Sequence, residues 1–520
     1  MQKRGKTALT LVGFAVMLAA LLALMASIGA GKDGFDIDEF FTYGLANSYH
    51  QPFLSAQTGS WISGKAFSDY LTAKGHAHEY LNVYENQIAD VHPPLYYLFM
   101  HAVCSAFQNP PFTKWTGIGL NLFFFSLTQF GLLLLSARLL SDGEKLELTP
   151  PALLPGLLYG LSAGAASGVV FIRMYAMMTM WAVWLALALV ELFIHGQTVW
   201  RMRALAAVLI AGFLTQYYFV ILACMLCGVY FFARLARREF ETAGRFALWC
   251  FFALALAVGL FPWCLNHIFG GYRGRGAIES AAGVRLNDMI RWFKILWQTL
   301  DAQQFGGFLL ALVLIGAALA FWPLKKAGQG LKRGAAFSLW ALPACGAYVL
   351  VIAVISPYKV DRYIFCVYPL VTAALFMLFA RGGCRFGSRR GSACLLACAV
   401  LAACGARVNR DQQVHYLYPG DSAYVAACEE NAALPCVLLG TNDMTQNTLE
   451  LAAFERVYML NADDAQGVAP ALEALDEKPD GFILFERYHD EANVETVLRE
   501  TGLESAELLF EHQYHVYWVH

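Results

Sequence analysis

The 520-residue sequence predicts a polytopic α-helical membrane protein of about eleven spans, ending in a small soluble α/β domain. Three observations carry that reading. Hydrophobic residues make up 58% of the chain and charged residues only 15%, against about 25% charged in an ordinary soluble domain. Mean hydropathy is +0.49, and apolar runs recur near the ~20 residues that a span needs. Residues 406–520 lose those runs and turn acidic, with six strong bases (Arg407, Arg410, Arg456, Lys478, Arg487 and Arg499) among many carboxylates. The formal net charge of −2 therefore hides a basic membrane part. Disorder and an ordinary soluble enzyme are excluded. So is nucleic-acid binding, because the positive charge lies in loops between apolar runs and not on one soluble face.

Lys3, Arg4 and Lys6 precede an apolar run over residues 8–30. It is longer than the about 7–15 residues of a signal-peptide core and has no clean cleavage site, so it reads as the first span, with a cytoplasmic N-terminus. Further spans are expected at 115–137, 150–171, 174–194, 246–265, 303–323, 336–355, 364–380 and 392–405. The run 204–233 has 30 residues and is interrupted by Thr215, Gln216, Tyr217 and Tyr218, so it reads as two crossings. The run 95–107 is short and contains His101. It reads as lying on the membrane without crossing. With these two assignments, Arg138 and Lys145, Arg201 and Arg203, Arg234 to Arg245, Lys325 to Arg333 and Arg381 to Arg390 all fall on the cytoplasmic side, as basic loops should. Changing either assignment alone sends several of these clusters outside. The expected division is a membrane module, 1–405, with a large extracytoplasmic loop, 31–114, and an extracytoplasmic domain, 406–520.

In the tail, the apolar runs in 435–441 and 481–486 read as buried strands. Residues 493–501 read as an amphipathic helix and 508–520 as a final strand or hairpin, with no catalytic constellation among them. Eleven of the thirteen cysteines lie in or beside apolar runs, where a thiol behaves as a small hydrophobe. Cys224 and Cys227 are inside a span, so no redox or metal pair is expected there. Cys428 and Cys436 are in the tail and can pair if it is extracytoplasmic.

This topology gathers the polar segments outside: 31–114, the corner Arg173-Met174-Tyr175, residues 216–218, 266–302, 356–363 and the tail. No cytoplasmic loop is large enough to hold a nucleotide, and no P-loop appears. Loop 31–114 opens on Asp36, Asp38 and Glu39 and closes on Asp90, His92, Pro93, Pro94, Leu95, Tyr96 and Tyr97. The acids alone read as helix caps in a solvated loop. The proline pair fixes an extended approach to a short aromatic interfacial helix, which returns the loop to the membrane and can roof the acids.

Asp38 and Glu39 just past the first helix, Asp90 and His92 leading into Pro-Pro-Leu-Tyr-Tyr, Arg173-Met-Tyr175 at a corner and Gln216-Tyr-Tyr218 together resemble the GT-C membrane glycosyltransferases. The family 39 branch is the nearest in pattern: polyprenyl-phosphate-mannose protein mannosyltransferases and lipid A aminoarabinose transferases. The resemblance covers most of residues 1–400 and not the tail. It implies a polyprenyl-phosphate-linked sugar donor, inverting transfer on the extracytoplasmic face of the cell membrane, and Asp38 and Glu39 as the catalytic pair, with Asp38 as the base. Asp36 is an extra acid with no assigned role.

The chemistry also stands without the family. A sugar on phosphate already has a good leaving group. One base for the acceptor's proton, and cations to hold the departing phosphate, therefore suffice. The candidate phosphate ligands are Arg173 with Tyr175 at the corner, and Lys359 and Arg362 in a short turn between two spans. Asp361 offers Arg362 an alternative role as a structural tie. Asp90, His92, Pro93, Pro94, Tyr96 and Tyr97 are expected to position the loop. Arg285, Arg291 and Lys294 read as an interfacial helix snorkelling to headgroups. His76, His78 and Glu79 read as surface loop. A divalent metal is used by related branches, but the residues here do not support one. The partners expected are the lipid-linked sugar, the bilayer and an acceptor that is a protein, lipid or polysaccharide. The rival reading from another class is a transporter or flippase.

Overall fold

The computed structural model describes residues 2–106, 112–321, 328–383, 394, 397, 399–402, 414–441, 444–477 and 479–520. The helices begin with α1 (Gln2–Ala30), α2 (Ile37–Asn47), α3 (Lys65–Leu71), α4 (Tyr80–Ala89), α5 (Leu95–Ala106) and α6 (Lys114–Leu140). They continue with α7 (Leu154–Gly160), α8 (Ala163–Val170), α9 (Tyr175–His195), α10 (Val199–Thr215), α11 (Tyr218–Ala236) and α12 (Phe240–Leu260). Then come α13 (Tyr272–Gly283), α14 (Leu286–Phe305), α15 (Leu309–Phe321), α16 (Gln329–Ile355) and α17 (Tyr368–Gly383). The chain forms two compact units, one of Met1–Ala30, Asp90–Tyr96 and Gly117–His415, the other of Gly31–Ala89, Tyr97–Thr116 and Tyr416–His520.

The first unit is a bundle of apolar helices. Among the described residues seven helices are long and apolar enough to cross a bilayer, and nine if two bent pairs each count as one span. The pair α7 and α8 bends by 66° and the pair α14 and α15 by 79°. The sequence treats 150–171 and 303–323 as unbroken spans, and local chemistry explains both breaks. Ser162 caps α8, its Oγ accepting from Ala165 N at 3.0 Å. Gly306 and Gly307 have φ of 61° and 91°, left-handed backbone that glycine adopts without a Cβ penalty. Two expected crossings are not in that set. One is α10, 17 residues long. The other is 392–405, most of which lies outside the described residues, as do Lys325, Lys326, Arg385, Arg389 and Arg390. The interruption of 204–233 is found where the polar residues suggest it, between Thr215 and Tyr218. The outer segment 266–302 is largely helical, as α13 and most of α14, and the helix expected around Arg285, Arg291 and Lys294 is part of α14.

The bundle has two chemically different ends. At the basic end Arg138 pairs with Glu191 at 2.5 Å and Arg234 with Glu239 at 2.9 Å. There too Arg201 donates to His195 O and Arg333 to Gly143 O. The other end carries the turns 171–174, 216–217 and 356–364 and is aromatic. Tyr363 is within 6.0 Å of Tyr175 and 5.1 Å of Tyr218, ring centre to ring centre.

The second unit is built on one six-stranded sheet. Its strands are β1 (Trp61–Ile62), β2 (Cys436–Leu439), β3 (Val457–Leu460), β4 (Phe482–Glu486), β5 (Ala506–Glu511) and β6 (His515–Val519), in the order β1-β3-β2-β4-β6-β5. β2 runs parallel to both β3 and β4, and β4, β6 and β5 are joined antiparallel. β2 and β4 are buried at every residue, which is why they read as short unbroken apolar runs and not as alternation. One face is covered by Phe67, Leu451 and Phe454, the other by Val468, Leu472 and Val497. Each such side chain contributes about 1.5–3 kcal/mol of burial. The strand β1 comes from the 31–114 segment and pairs Trp61 with Tyr458. Cys428 and Cys436 are free buried thiols, and burial first, then nearby groups, pushes both above the usual thiol range.

Candidate active site

In the second unit the acidic segment is the first turn of α2. Asp36 is its N-cap, and Asp36 and Glu39 form a capping box. Asp36 Oδ1 accepts from Asp38 N at 2.9 Å, and Glu39 Oε2 accepts from Asp36 N at 2.8 Å. The spacing D-x-x-E before an apolar run is the sequence form of this box. Asp36 Oδ2 also accepts from the Tyr418 hydroxyl at 3.0 Å. Glu39 is fully buried and its Oε2 meets Lys32 Nζ at 2.9 Å, both side chains 0% exposed. Lys32 donates in addition to Tyr416 O at 2.6 Å and lies 5.2 Å from the ring centres of Phe35 and Tyr418. An ammonium so deeply buried is tolerable only with partners of this kind. Asp38, between the two capping acids, is partly exposed. Tyr97 is buried in this unit as well.

In the first unit, the chain entering α5 meets the corner before α9. Pro93 and Pro94 are buried and end at the first residue of the helix. Tyr96 donates to Asn121 Oδ1 at 2.9 Å, while Asn121 Nδ2 donates to Val169 O at 3.0 Å and Phe171 O at 2.8 Å. One asparagine thus ties this segment to the 171–174 corner, where Arg173 and Tyr175 are each 3% exposed. Asp90 Oδ2 is 2.9 Å from His92 Nδ1. Burial alone would raise the Asp90 carboxyl, yet His92 and the positive charge of Arg173 bring it down to about 2.

The turn 356–364 contributes the other cations. Arg362 lies over Phe171 at 5.2 Å and over Tyr363 at 5.8 Å, and the Tyr348 hydroxyl holds the Tyr363 carbonyl at 2.6 Å. Lys359 lies 4.3 Å from the Trp292 ring centre and donates to Ser356 O. Burial lowers its pKa. Arg273, at the start of α13, lies over the Tyr358 ring at 5.2 Å and acts electrostatically on Tyr218. This end of the bundle therefore brings together Asp90, His92, Arg173, Tyr175 and Arg362, and adds Arg273. Tyr217, from the 216–218 break, meets His267 Nδ1 at 2.9 Å.

Asp361 has its own network. Its Oδ2 accepts from Gln303 Nε2 at 2.8 Å and meets His415 Nδ1 at 2.7 Å, and its Oδ1 accepts the Arg362 backbone N–H at 2.8 Å. Tyr368 donates to Gln303 Oε1 at 2.8 Å. No local motif announces a group drawn from residues 303, 361, 368 and 415. The hydrogen bond to Asp361 raises the His415 pKa; burial opposes this, and the Asp361 charge adds to it. Because the folded value is raised, the pair's stabilisation is full below the unfolded value, about 6.5, and is lost as pH rises through the folded value. The melting temperature of wild type should therefore exceed that of His415→Asn most at mildly acidic pH, with the gap closing in alkaline buffer. A gap that widens with pH would contradict the assignment.

His76 stacks on Tyr49 with ring centres 4.1 Å apart. Among the described residues no three His, Cys, Asp or Glu side chains converge as a metal site.

No protein-family model matches the sequence, and no curated protein does. Among solved structures the chain is similar to ArnT from Cupriavidus metallidurans bound to undecaprenyl phosphate, with a TM-score of 0.52, 11% identity and 98% of each chain covered. It is also similar to the archaeal oligosaccharyltransferase AglB from Archaeoglobus fulgidus in complex with an inhibitory peptide and a dolichol-phosphate. There the TM-score is 0.46 and identity 10%, over 93% of this chain and 68% of that one. At 11% identity the likeness to ArnT is one of fold alone.

Proposed function

We propose that this protein is an integral-membrane glycosyltransferase that moves a sugar from a polyprenyl-phosphate carrier to an acceptor on the extracytoplasmic face, with inversion. The observation that carries the reading is the collection of Arg173, Arg273, Lys359 and Arg362 among aromatic rings at one end of the helix bundle. Such an end suits a phosphate delivered from the bilayer, with rings at headgroup level and cations on the developing charge. Support comes also from the shared fold with ArnT, whose solved structure holds undecaprenyl phosphate.

In the proposed reaction Asp38 takes the proton of the acceptor's nucleophilic group. That group forms a bond to the anomeric carbon as the bond from carbon to phosphate oxygen breaks. The electron pair leaves with the polyprenyl phosphate, and a single displacement inverts the carbon. Asp36 and Glu39 act on this reading by shaping the first turn of α2. In their absence Asp38 would lose its backbone frame. Arg173, Arg362 and Lys359 hold the leaving phosphate, with Tyr175 beside them. Asp90, His92, Pro93, Pro94, Tyr96 and Tyr97 position loop 31–114.

A transporter is the reading that bent helices would suit. Both breaks, however, are closed from within: Ser162 caps one, and Asp301 Oδ1 accepts from Gly307 N at 3.1 Å and Leu309 N at 2.8 Å in the other. Deleting the gene should make a glycosylated polyprenyl phosphate accumulate, read by mass spectrometry of the lipid extract. An unchanged lipid-linked pool would count against transferase activity.

The basic end of the bundle supports a cytoplasmic placement of that end. A reporter fused after His520 should report from outside the cell and one inserted at 234–245 from the cytoplasm. The opposite pattern would put the proposed site on the wrong side of the membrane.

A further inference from the structure

The acidic turn that carries Asp38 is held by a segment nearly 400 positions away in sequence, in the same unit. Lys32 Nζ bridges the Glu39 carboxylate and the Tyr416 carbonyl, the latter 384 positions further along the chain. Asp33 N donates to Leu417 O at 2.8 Å, Gly420 N to Asp33 Oδ2 at 3.1 Å, and the Tyr418 hydroxyl to Asp36 Oδ2 at 3.0 Å. Gly34 leaves room for Asp421, whose carboxylate a Cβ at that position would overlap.

The segment accepts a conformational cost to do this. Tyr416 and Tyr418 have φ of 68° and 50°, a left-handed backbone unfavourable for a bulky side chain. A run of backbone and side-chain bonds alone does not call for two strained tyrosines. With this backbone the Tyr416 carbonyl accepts from Lys32 and the Tyr418 hydroxyl donates to Asp36. Residues so over-determined are characteristic of places where geometry matters to function.

The geometry points to 416–418, with Lys32, as a positioning strap for Asp38. It fixes the capping box of α2, and so sets the direction in which the residue between the two capping acids is presented. The C-terminal part of the chain then acts in the transfer step itself, through Asp38. This rests on the reading of Asp38 as base.

Tyr418→Phe removes one hydroxyl and leaves Lys32, Glu39 and the sheet in place. Purified full-length protein in liposomes, with a polyprenyl-phosphate sugar fraction from the source cells as donor, should lose on the order of 10-fold in turnover. The donor KM and melting temperature should stay as in wild type. The decisive arm is the same substitution in an Asp38→Asn background, where a residue acting through Asp38 causes no further loss. An equal loss in both backgrounds, or no loss in the first, overturns the strap. If Asp38→Asn by itself leaves turnover intact, the base assignment fails, and the strap falls with it for that separate reason.

Discussion

If Asp38 is the base as proposed, Asp38→Asn should lower sugar transfer by about 10²–10⁴, the usual weight of a general base, while the protein folds and still binds its donor. The structural ground is the division of labour among three neighbouring acids. Asp36 spends Oδ1 on Asp38 N and Oδ2 on Tyr418. Glu39 is fully buried against Lys32 and Asp36 N. These are caps, and their replacements should behave as cap replacements. Asp36→Asn keeps a good N-cap residue, and Asp36→Ala costs about 1 kcal/mol of stability; neither should approach the Asp38→Asn effect on turnover. Glu39→Gln keeps the box but leaves the Lys32 charge buried without its counter-ion. It should lower the melting temperature more than Asp38→Asn does. Kinetics and thermal unfolding on the same four variants separate the roles. If Asp36→Asn abolishes transfer while Asp38→Asn is active, the base is misassigned by one carboxylate.

On the proposed phosphate-binding role, Arg362→Ala should weaken donor binding and slow transfer, for a combined loss of about 10–100-fold in kcat/KM. This corresponds to a charge-assisted hydrogen bond of about 1.5–3 kcal/mol. The turn's geometry makes this testable apart from folding. Asp361 is engaged by Gln303 and His415, so Asp361→Ala loosens that network and serves as the structural control. Arg362 lies over the Phe171 and Tyr363 rings, which orient a planar guanidinium. Arg362→Lys should recover only part of the loss, since a lysine offers a point charge and not a fork. Donor affinity measured separately from turnover is the readout. If Arg362→Ala changes neither, or only lowers expression as Asp361→Ala does, the phosphate is held elsewhere, with Arg173 and Arg273 next in line.

Much of the fold is legible in the sequence because its signals are long or locally redundant. Runs of ~20 apolar residues announce spans, the polar residues 215–218 announce a break, and the buried strands β2 and β4 announce themselves as short apolar runs. What escapes is short or dispersed. β1 has two residues, too few for any periodicity, yet it adds a strand from the 31–114 segment. Gly306 and Gly307 bend a helix pair by 79°, but they sit in an apolar stretch and hydropathy passes over them. Within the acidic turn, the D-x-x-E spacing is readable as a cap, whereas Lys32 looks like any basic residue beyond a membrane helix. Its burial depends on Tyr416 and Tyr418, far along the chain. The Asp361, Gln303 and His415 group is hidden for the same reason. It exists only once three distant segments are folded together.

The central claim is that the protein breaks the bond between a sugar and a polyprenyl phosphate. The most direct measurement uses purified wild type and Asp38→Asn in liposomes containing a radiolabelled polyprenyl-phosphate sugar fraction and a cell-envelope acceptor extract. Free polyprenyl phosphate is then followed by thin-layer chromatography. The account predicts time-dependent release with wild type and release lower by about 10²–10⁴ with Asp38→Asn. It would be contradicted by wild-type protein that moves the intact glycolipid between leaflets and releases no polyprenyl phosphate.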